Sequence, residues 1–259
     1  MVADKADSII RFEGVCKAFG GPPVLDGIDF SIQRGETFAL VGPSGTGKSV
    51  TLKHMVRLLT PDAGNVLVEG QLVNHAYGRE LEKIRNRFGY LFQGGALLAW
   101  MNVADNIALP LLEKTRMTRG EIDQRVAEVL DMVGMAQDGD KRPSEISGGM
   151  KKRAGLARAI VTRPDIVLYD EPTSGLDPVT SRTIDRLIDR LREETKITSV
   201  VVTHDLHSAL AIAHKIAVLQ DGKIIEVSTP QEFVESQNEQ VVRFLESQYI
   251  TKRGAWEEK

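Results

Sequence analysis

The sequence predicts an α/β fold built around a phosphate-binding loop, and three observations carry that prediction. Short apolar, β-prone runs alternate with stretches of helical periodicity along most of the chain. Residues Gly42-Pro43-Ser44-Gly45-Thr46-Gly47-Lys48-Ser49 read G-x-x-x-x-G-K-S, placed between the apolar run Thr37-Phe38-Ala39-Leu40-Val41 and a stretch, Val50 to Leu59, able to continue as a helix. A second compact run, Ile166-Val167-Leu168-Tyr169, ends in Asp170-Glu171.

In chain order, the opening third reads as strands at Ile9–Phe12, Val24–Ile32, Thr37–Val41 and Asn65–Glu69, with glycines marking the turns between them. Arg79–Asn86 reads as a helix and Phe88–Phe92 as a return to strand. From Thr118 to Val133 the apolar residues Ile122, Val126, Val129, Leu130 and Val133 recur at helical spacing, with Thr118 as N-cap. A second helix runs from Ser147 to Val161, and the buried strand Ile166–Tyr169 follows, lying beside the phosphate loop's own strand. Asp177 and Pro178 open an amphipathic helix over Val179–Glu194. Ile197–Val202 is a buried strand, Leu206–Ala213 a short helix, and Lys215–Leu219 with Lys223–Val227 a hairpin turning at Asp221-Gly222. Pro230–Gln248 carries two short helices, and Thr251–Lys259 reads as a frayed polar end.

The 259 residues suffice for one large domain or a domain with an inserted lobe. Lys plus Arg total 33 against 36 Asp plus Glu, a net charge of −3, which argues against nucleic acid as a partner. Cys16 is the only cysteine, so no intrachain disulfide or multi-cysteine metal site forms. Met1–Ser8 lacks the apolar core of a secretory signal, and no run of about 18 apolar residues is present to cross a bilayer. The longest candidate, Ala96–Leu112, is interrupted by Asn102, Asp105 and Asn106, so a membrane role is expected only through partners.

The chemistry of the motifs is specific. Glycines allow backbone N–H groups to turn around the β- and γ-phosphates, and the helix start adds positive partial charge. Lys48 is placed to reach the terminal phosphates and Ser49 to bring its hydroxyl to Mg²⁺. Asp170, leaving a buried strand, is placed to hold Mg²⁺ through water, and Glu171 to polarise an attacking water as general base.

With Ser147-Gly148-Gly149, Gln93, Asp177 and His204 added, the chain resembles the ATP-binding cassette (ABC) ATPases over about residues 9 to 230. The resemblance implies a P-loop core made of a RecA-like lobe with an antiparallel β subdomain, plus an inserted α-helical lobe. It implies one domain over 1–259: core lobe 8–93 and 164–229, helical signature lobe 94–163, helical tail 230–259. It also implies that two chains share each ATP, one giving the phosphate loop, the other the signature. Nucleotide contact is implied for Gly42, Pro43, Ser44, Gly45, Thr46, Gly47, Lys48, Ser49 and Val50, for Phe19 stacking on adenine, and for Gln93, Ser147, Gly148, Gly149 and Asp177. Glu171, His204, Gln93 and Lys48 are the implied catalytic residues, and Ser49, Gln93 and Asp170 the implied Mg²⁺ contacts. Two residues depart from the usual Leu-Ser-Gly-Gly-Gln signature: Ile146 and Met150. Met150 cannot bond back to the capping residue as Gln does.

Within the family, three stretches resemble the ATPases of Mla-type phospholipid transporters, which work with Mce-domain proteins. They are Phe92–Leu97 with Met101–Asn106 and Leu109-Pro110-Leu111, then Ser147–Arg153, then Glu171–Pro178. Leu98-Ala99-Trp100 departs from that subgroup's usual aromatic. The resemblance implies a homodimer at the cytoplasmic face of the inner membrane, held there by polytopic permease subunits and accompanied by an Mce-domain lipid-binding protein. Ala96–Met101, with Trp100, is the expected docking surface for a helix of the membrane subunit. The alternatives are an importer ATPase for amino acids or another small solute, and a soluble ABC ATPase without a membrane partner.

Overall fold

The computed structural model describes residues 8–250, so the two chain ends named above, residues 1–7 and 251–259, lie outside the described residues. Two sheets organise the fold. Strands β1 (Ser8–Lys17), β2 (Leu25–Gln33), β4 (Ala63–Val68) and β5 (Gln71–Leu72) form an antiparallel sheet in the order β2-β1-β4-β5. Strands β3 (Thr37–Val41), β6 (Phe88–Leu91), β7 (Ile166–Asp170), β8 (Thr198–Thr203), β9 (Lys215–Gln220) and β10 (Lys223–Ser228) form the second, ordered β10-β9-β3-β8-β7-β6. From β9 to β6 this sheet is parallel, and β3, β7 and β8 are buried along their whole length. That is why those runs are continuously apolar or small instead of alternating.

The helices are α1 (Lys48–Met55), α2 (Gly78–Asn86), α3 (Val103–Lys114), α4 (Arg119–Met132), α5 (Gly148–Ile160), α6 (Pro178–Thr195), α7 (Leu206–Ile212), α8 (Pro230–Val234) and α9 (Glu239–Ser247). One apolar cluster fills the space between the sheets, where Phe12, Phe30 and Phe38 stack at centroid distances of 4.5 and 5.2 Å. A second joins α3, α4, α5 and α6 to the opposite face of the parallel sheet through Tyr169 and Val201. A third seats α7, α8 and α9 on β3 and β9.

Two expectations change, and one helix was not expected. The strand β7 does not lie beside β3: β8 is inserted between them, with Val41 level with Thr203 and Asp170 level with Val202. The helix after the phosphate loop stops at Met55 instead of continuing to Leu59, because Arg57 turns into the left-handed region at φ 53° and Leu58 N–H returns to Lys53 O. Val103–Lys114 is a helix although it contains Pro110. Its start is fixed by Asn102, whose side chain accepts from Asp105 N–H, and by the buried Asn106, which bonds Leu98, Met101 and Asn102. The expected Thr118 cap is present and forms a reciprocal capping box with Glu121. At the β9–β10 turn, Asp221 and Gly222 both take positive φ, 48° and 75°, as the hairpin requires.

Candidate functional site

Parallel strands deliver the chemistry to one edge. The phosphate loop follows β3, Gln93 follows β6, Glu171 follows β7 and His204 follows β8, so four loops leave the same C-terminal edge. This edge is where open α/β sheets bind ligands. Gly42 and Gly47 shape the first loop: their φ values are 154° and 100°. A Cβ on Gly42 would lie 2.2 Å from Leu219 O, and one on Gly47 2.8 Å from Val24 Cγ1. Only glycine satisfies both demands. Gly47 caps α1 without a side-chain hydrogen bond, which leaves the first N–H groups of the helix directed at whatever sits in the loop.

Lys48 Nζ donates to Gly42 O at 2.8 Å and Pro43 O at 2.9 Å, holding the loop's own carbonyls. Burial lowers its pKa, and the carboxylates of Glu171 and Asp170 work against that shift. Ser49 Oγ donates to Asp170 Oδ1 at 2.6 Å, reaching across the end of the intervening β8. Tyr90 OH donates to Asp170 Oδ2 at 3.4 Å, and burial followed by the Asp170 charge pushes the phenol far above its ordinary range.

Glu171 is buried and lies at φ 50°, a conformation rare for a residue with a Cβ. Its Oε2 stands 2.9 Å from His204 Nδ1, and against a carboxylate oxygen that nitrogen is the donor. The rest of the imidazole faces outward, with half of the side chain exposed. Beside His204 opens a cavity of about 680 Å³, lined in part by Ser174, Leu176, Arg182, Asp185 and His207.

The remaining expected residues sit around this cluster. Phe19 is exposed (57 %), with Lys17 Nζ 5.5 Å from its ring centroid, so its aromatic face is not spent in the core. Pro43, Ser44 and Gly45 are exposed, and Thr46 Oγ1 donates to Pro43 O at 2.9 Å. Val50 is half-buried in the first turn of α1 and packs against the inter-sheet core. The side chain of Gln93 is exposed while its carbonyl accepts from Lys152 Nζ. Ser147 caps α5 by accepting from Met150 N–H at 3.3 Å, with no bond returning, as expected for Met at that position. Gly148 is exposed and Gly149 buried: a Cβ on Gly149 would lie 2.5 Å from Thr180 Cγ2. Asp177 caps α6, accepting from the N–H groups of Val179 and Thr180 at 3.0 Å each, so the simple capping role is real. Lys48, Ser49, Asp170, Glu171 and His204 therefore converge within this chain. The signature turn instead packs on Leu176 and Thr180.

Two further residues reach the site, Tyr90 described above and Lys152, and no side-chain pattern in the sequence marks either as a site residue. Lys152, buried in α5, donates to Gln93 O, to Glu171 O at 2.8 Å and to Ser174 Oγ at 3.4 Å. Its partners are mainly carbonyls, which leave no mark in side-chain patterns. Two of the four other histidines have structural roles: His54 Nδ1 bonds Val50 O, and His214 Nδ1 accepts from Thr37 N–H.

Comparison with known proteins gives the family. The family model described as ABC transporter matches residues 25–174. The chain is 42% identical to the probable ribonucleotide transport ATP-binding protein mkl of Mycobacterium leprae, covering 96% of this chain and 72% of the relative. It is 39% identical to the intermembrane phospholipid transport system ATP-binding protein MlaF of Haemophilus influenzae, covering 93% and 91%. Among solved structures, the dimeric ATP-binding cassette MJ0796 in a post-hydrolysis state with ADP and Pi superposes with a TM-score of 0.79 at 32% identity, covering 85% of this chain and 98% of the other.

Proposed function

The chain belongs to the ATP-binding subunits of ABC transporters and is an ATPase; on that premise we propose that it powers phospholipid transport as a homodimer in which each ATP is shared by two chains. The observation that carries the shared pocket is the split within one chain. Lys48, Ser49, Asp170, Glu171 and His204 form a cluster, while Ser147 and Gly148 stand exposed at another helix start, with an anion-favouring end and no phosphate loop of their own. The residues expected on the helical lobe meet a phosphate only when a second chain supplies it.

In the proposed cycle Lys48 leaves the carbonyls of Gly42 and Pro43 for the β- and γ-phosphates, and the N–H groups of 42–49 and the start of α1 surround them. Phe19 stacks on the base. Ser49 Oγ and Asp170 Oδ1, 2.6 Å apart, are a hard all-oxygen pair of the kind Mg²⁺ takes, with Gln93 adding an amide oxygen. Once bound, the ion neutralises charge on the phosphate oxygens. Glu171 takes the proton of the attacking water, and His204, held through Nδ1, presents its other nitrogen towards the γ-phosphate. Ser147, Gly148, Gly149 and Asp177 of the second chain close the pocket. Hydrolysis removes the contact that favoured closure, and the dimer reopens.

The phospholipid reading is supported by similarity to MlaF over nearly its whole length and by the three stretches singled out above. It places the dimer at the cytoplasmic face of the inner membrane, under polytopic permease subunits and with an Mce-domain protein in the complex. Among the described residues no helix is long and apolar enough to cross a membrane, in keeping with attachment through partners. Glu171→Gln tests the cycle. The variant should bind ATP, elute as an ATP-dependent dimer, and turn over about 10²- to 10⁴-fold more slowly. Turnover near that of the wild type would remove Glu171 from the base role.

A further inference from the structure

Lys152 is a buried cation that the cycle above does not use. Burying an ammonium is costly unless hydrogen-bond acceptors surround it. Here three acceptors come from two separate segments: Gln93 O from the loop after β6, and Glu171 O with Ser174 Oγ from the connection between β7 and α6. The same helix grips the first of these segments again, since Arg158 donates to Gly95 O and Ala96 O at 2.7 Å each. Gly155 lets α5 come so close that a Cβ there would lie 2.8 Å from Leu91 Cδ1 and 3.2 Å from Gly95 O. At its start, α5 is seated on Thr180 and Leu176 through Gly149 and Gly148. The helix therefore cannot shift without carrying the Gln93 and Glu171 backbones with it.

We propose that Lys152 is a positioning residue that ties the backbones of Glu171 and Gln93 to α5, so that engagement of Ser147 with nucleotide on the partner chain is delivered to this chain's own catalytic base. The proposal rests on the shared-pocket reading. Ser147 caps the helix whose interior carries Lys152, about 7.5 Å further along the axis, and an intact helix over that distance moves as one body. One side chain meeting three acceptors needs several N–H donors. Lys supplies three, Arg five, and Met of comparable length none.

The test uses the full chain with Lys152→Met, Lys152→Arg and Ser147→Arg, each also in the Glu171→Gln background. For Lys152→Met we expect kcat to fall about ten- to a hundredfold, the loss that follows when a reacting group is slightly misplaced. KM should stay within about threefold, because binding is not what the contact supplies. ATP should still drive dimer formation by Lys152→Met with Glu171→Gln, since closure itself is untouched. Lys152→Arg should restore kcat to within about threefold of the wild type. A wild-type kcat in Lys152→Met would overturn the proposal. So would loss of the ATP-driven dimer together with failure of Arg to rescue, which would mark Lys152 as a mere prop of the fold. Ser147→Arg separates the two layers: normal hydrolysis by that variant defeats the shared pocket and the coupling together. Its loss of hydrolysis, combined with unchanged kcat in Lys152→Met, defeats the coupling alone.

Discussion

Asp185 offers a sharp test of the packing between the helices that follow the Asp177 and His204 loops. It lies on α6, is only 6 % exposed, and accepts from Ser208 Oγ on α7. Burial, reinforced by the nearby Asp205 carboxylate, raises its pKa from the ordinary 3.8 to about 6, against the Ser208 bond and the Arg182 charge. The sign follows from proton linkage. A carboxyl that binds its proton more tightly when folded adds stability that is complete below pH 3.8 and is lost as pH rises through about 6. That interval amounts to about 3 kcal/mol. Asp185→Asn has no proton to lose, and its amide oxygen still accepts from Ser208. At about pH 7.5 the variant should therefore be more stable than the wild type by about 2–3 kcal/mol, or roughly 4–10 °C in Tm. At about pH 4 the difference should shrink below about 0.5 kcal/mol. Urea unfolding at the two pH values measures both. Equal stability at the higher pH, or the same gap at both, would refute the assignment of a buried, proton-holding carboxyl.

Two further outcomes follow from exposure and close approach. Trp100 is 76 % exposed at the tip of a loop fastened by Asn106, so Trp100→Ala should change stability by less than about 0.5 kcal/mol. It should nonetheless weaken co-purification with the membrane subunits, and full retention of the complex would count against the docking role. Gly149→Ala should cost about 1–3 kcal/mol in thermal unfolding and impair ATP-driven dimerisation, because its methyl would lie 2.5 Å from Thr180 Cγ2. Gly148→Ala is the control, since its methyl would meet Leu176 Cδ2 at an ordinary 3.5 Å and leave unfolding almost unchanged.

Much of the site was legible because its requirements fall on side chains and on glycines. Gly42 and Gly47 are forced by contacts that no Cβ survives, and Ser49 with Asp170 by the oxygens they must present. The strands carrying them were legible as apolar runs because both faces are buried. Strand order was not. Nothing in Ile166–Tyr169 tells whether β8 lies between it and β3, since parallel pairing leaves the same apolar pattern in every interior strand. The helix Val103–Lys114 leaves no clear local pattern either. Pro110 argues against it locally, and it is fixed by Asn102, Asn106 and burial in the helical-lobe core. The apolar stretch Ala96–Met101 divides in the structure. Trp100 and Ala96 are exposed while Leu97, Leu98 and Met101 are half-buried, a distinction that only the fold can make.

Glu171, the proposed base, shows why hydrolysis would belong to the whole domain and not to one strand. Glu171 holds a left-handed backbone conformation that costs about 1–3 kcal/mol for a residue of its kind. Such a conformation persists only where its surroundings enforce it. Its N–H donates to Val202 O at 2.9 Å, its carbonyl accepts from Ser174 Oγ at 2.9 Å and Lys152 Nζ at 2.8 Å, and its Oε2 meets His204. Val202, His204 and Thr203, whose Oγ1 donates to Glu171 Oε2 at 3.5 Å, come from the neighbouring strand and its loop. Ser174 belongs to the turn before Asp177, and Lys152 to the helical lobe. The base is thus aimed jointly by the core lobe, the helical lobe and the turn between β7 and α6. On the proposed base role, a shift of these three relative to one another would misplace Glu171 before the carboxylate is lost, so that lobe position would gate turnover.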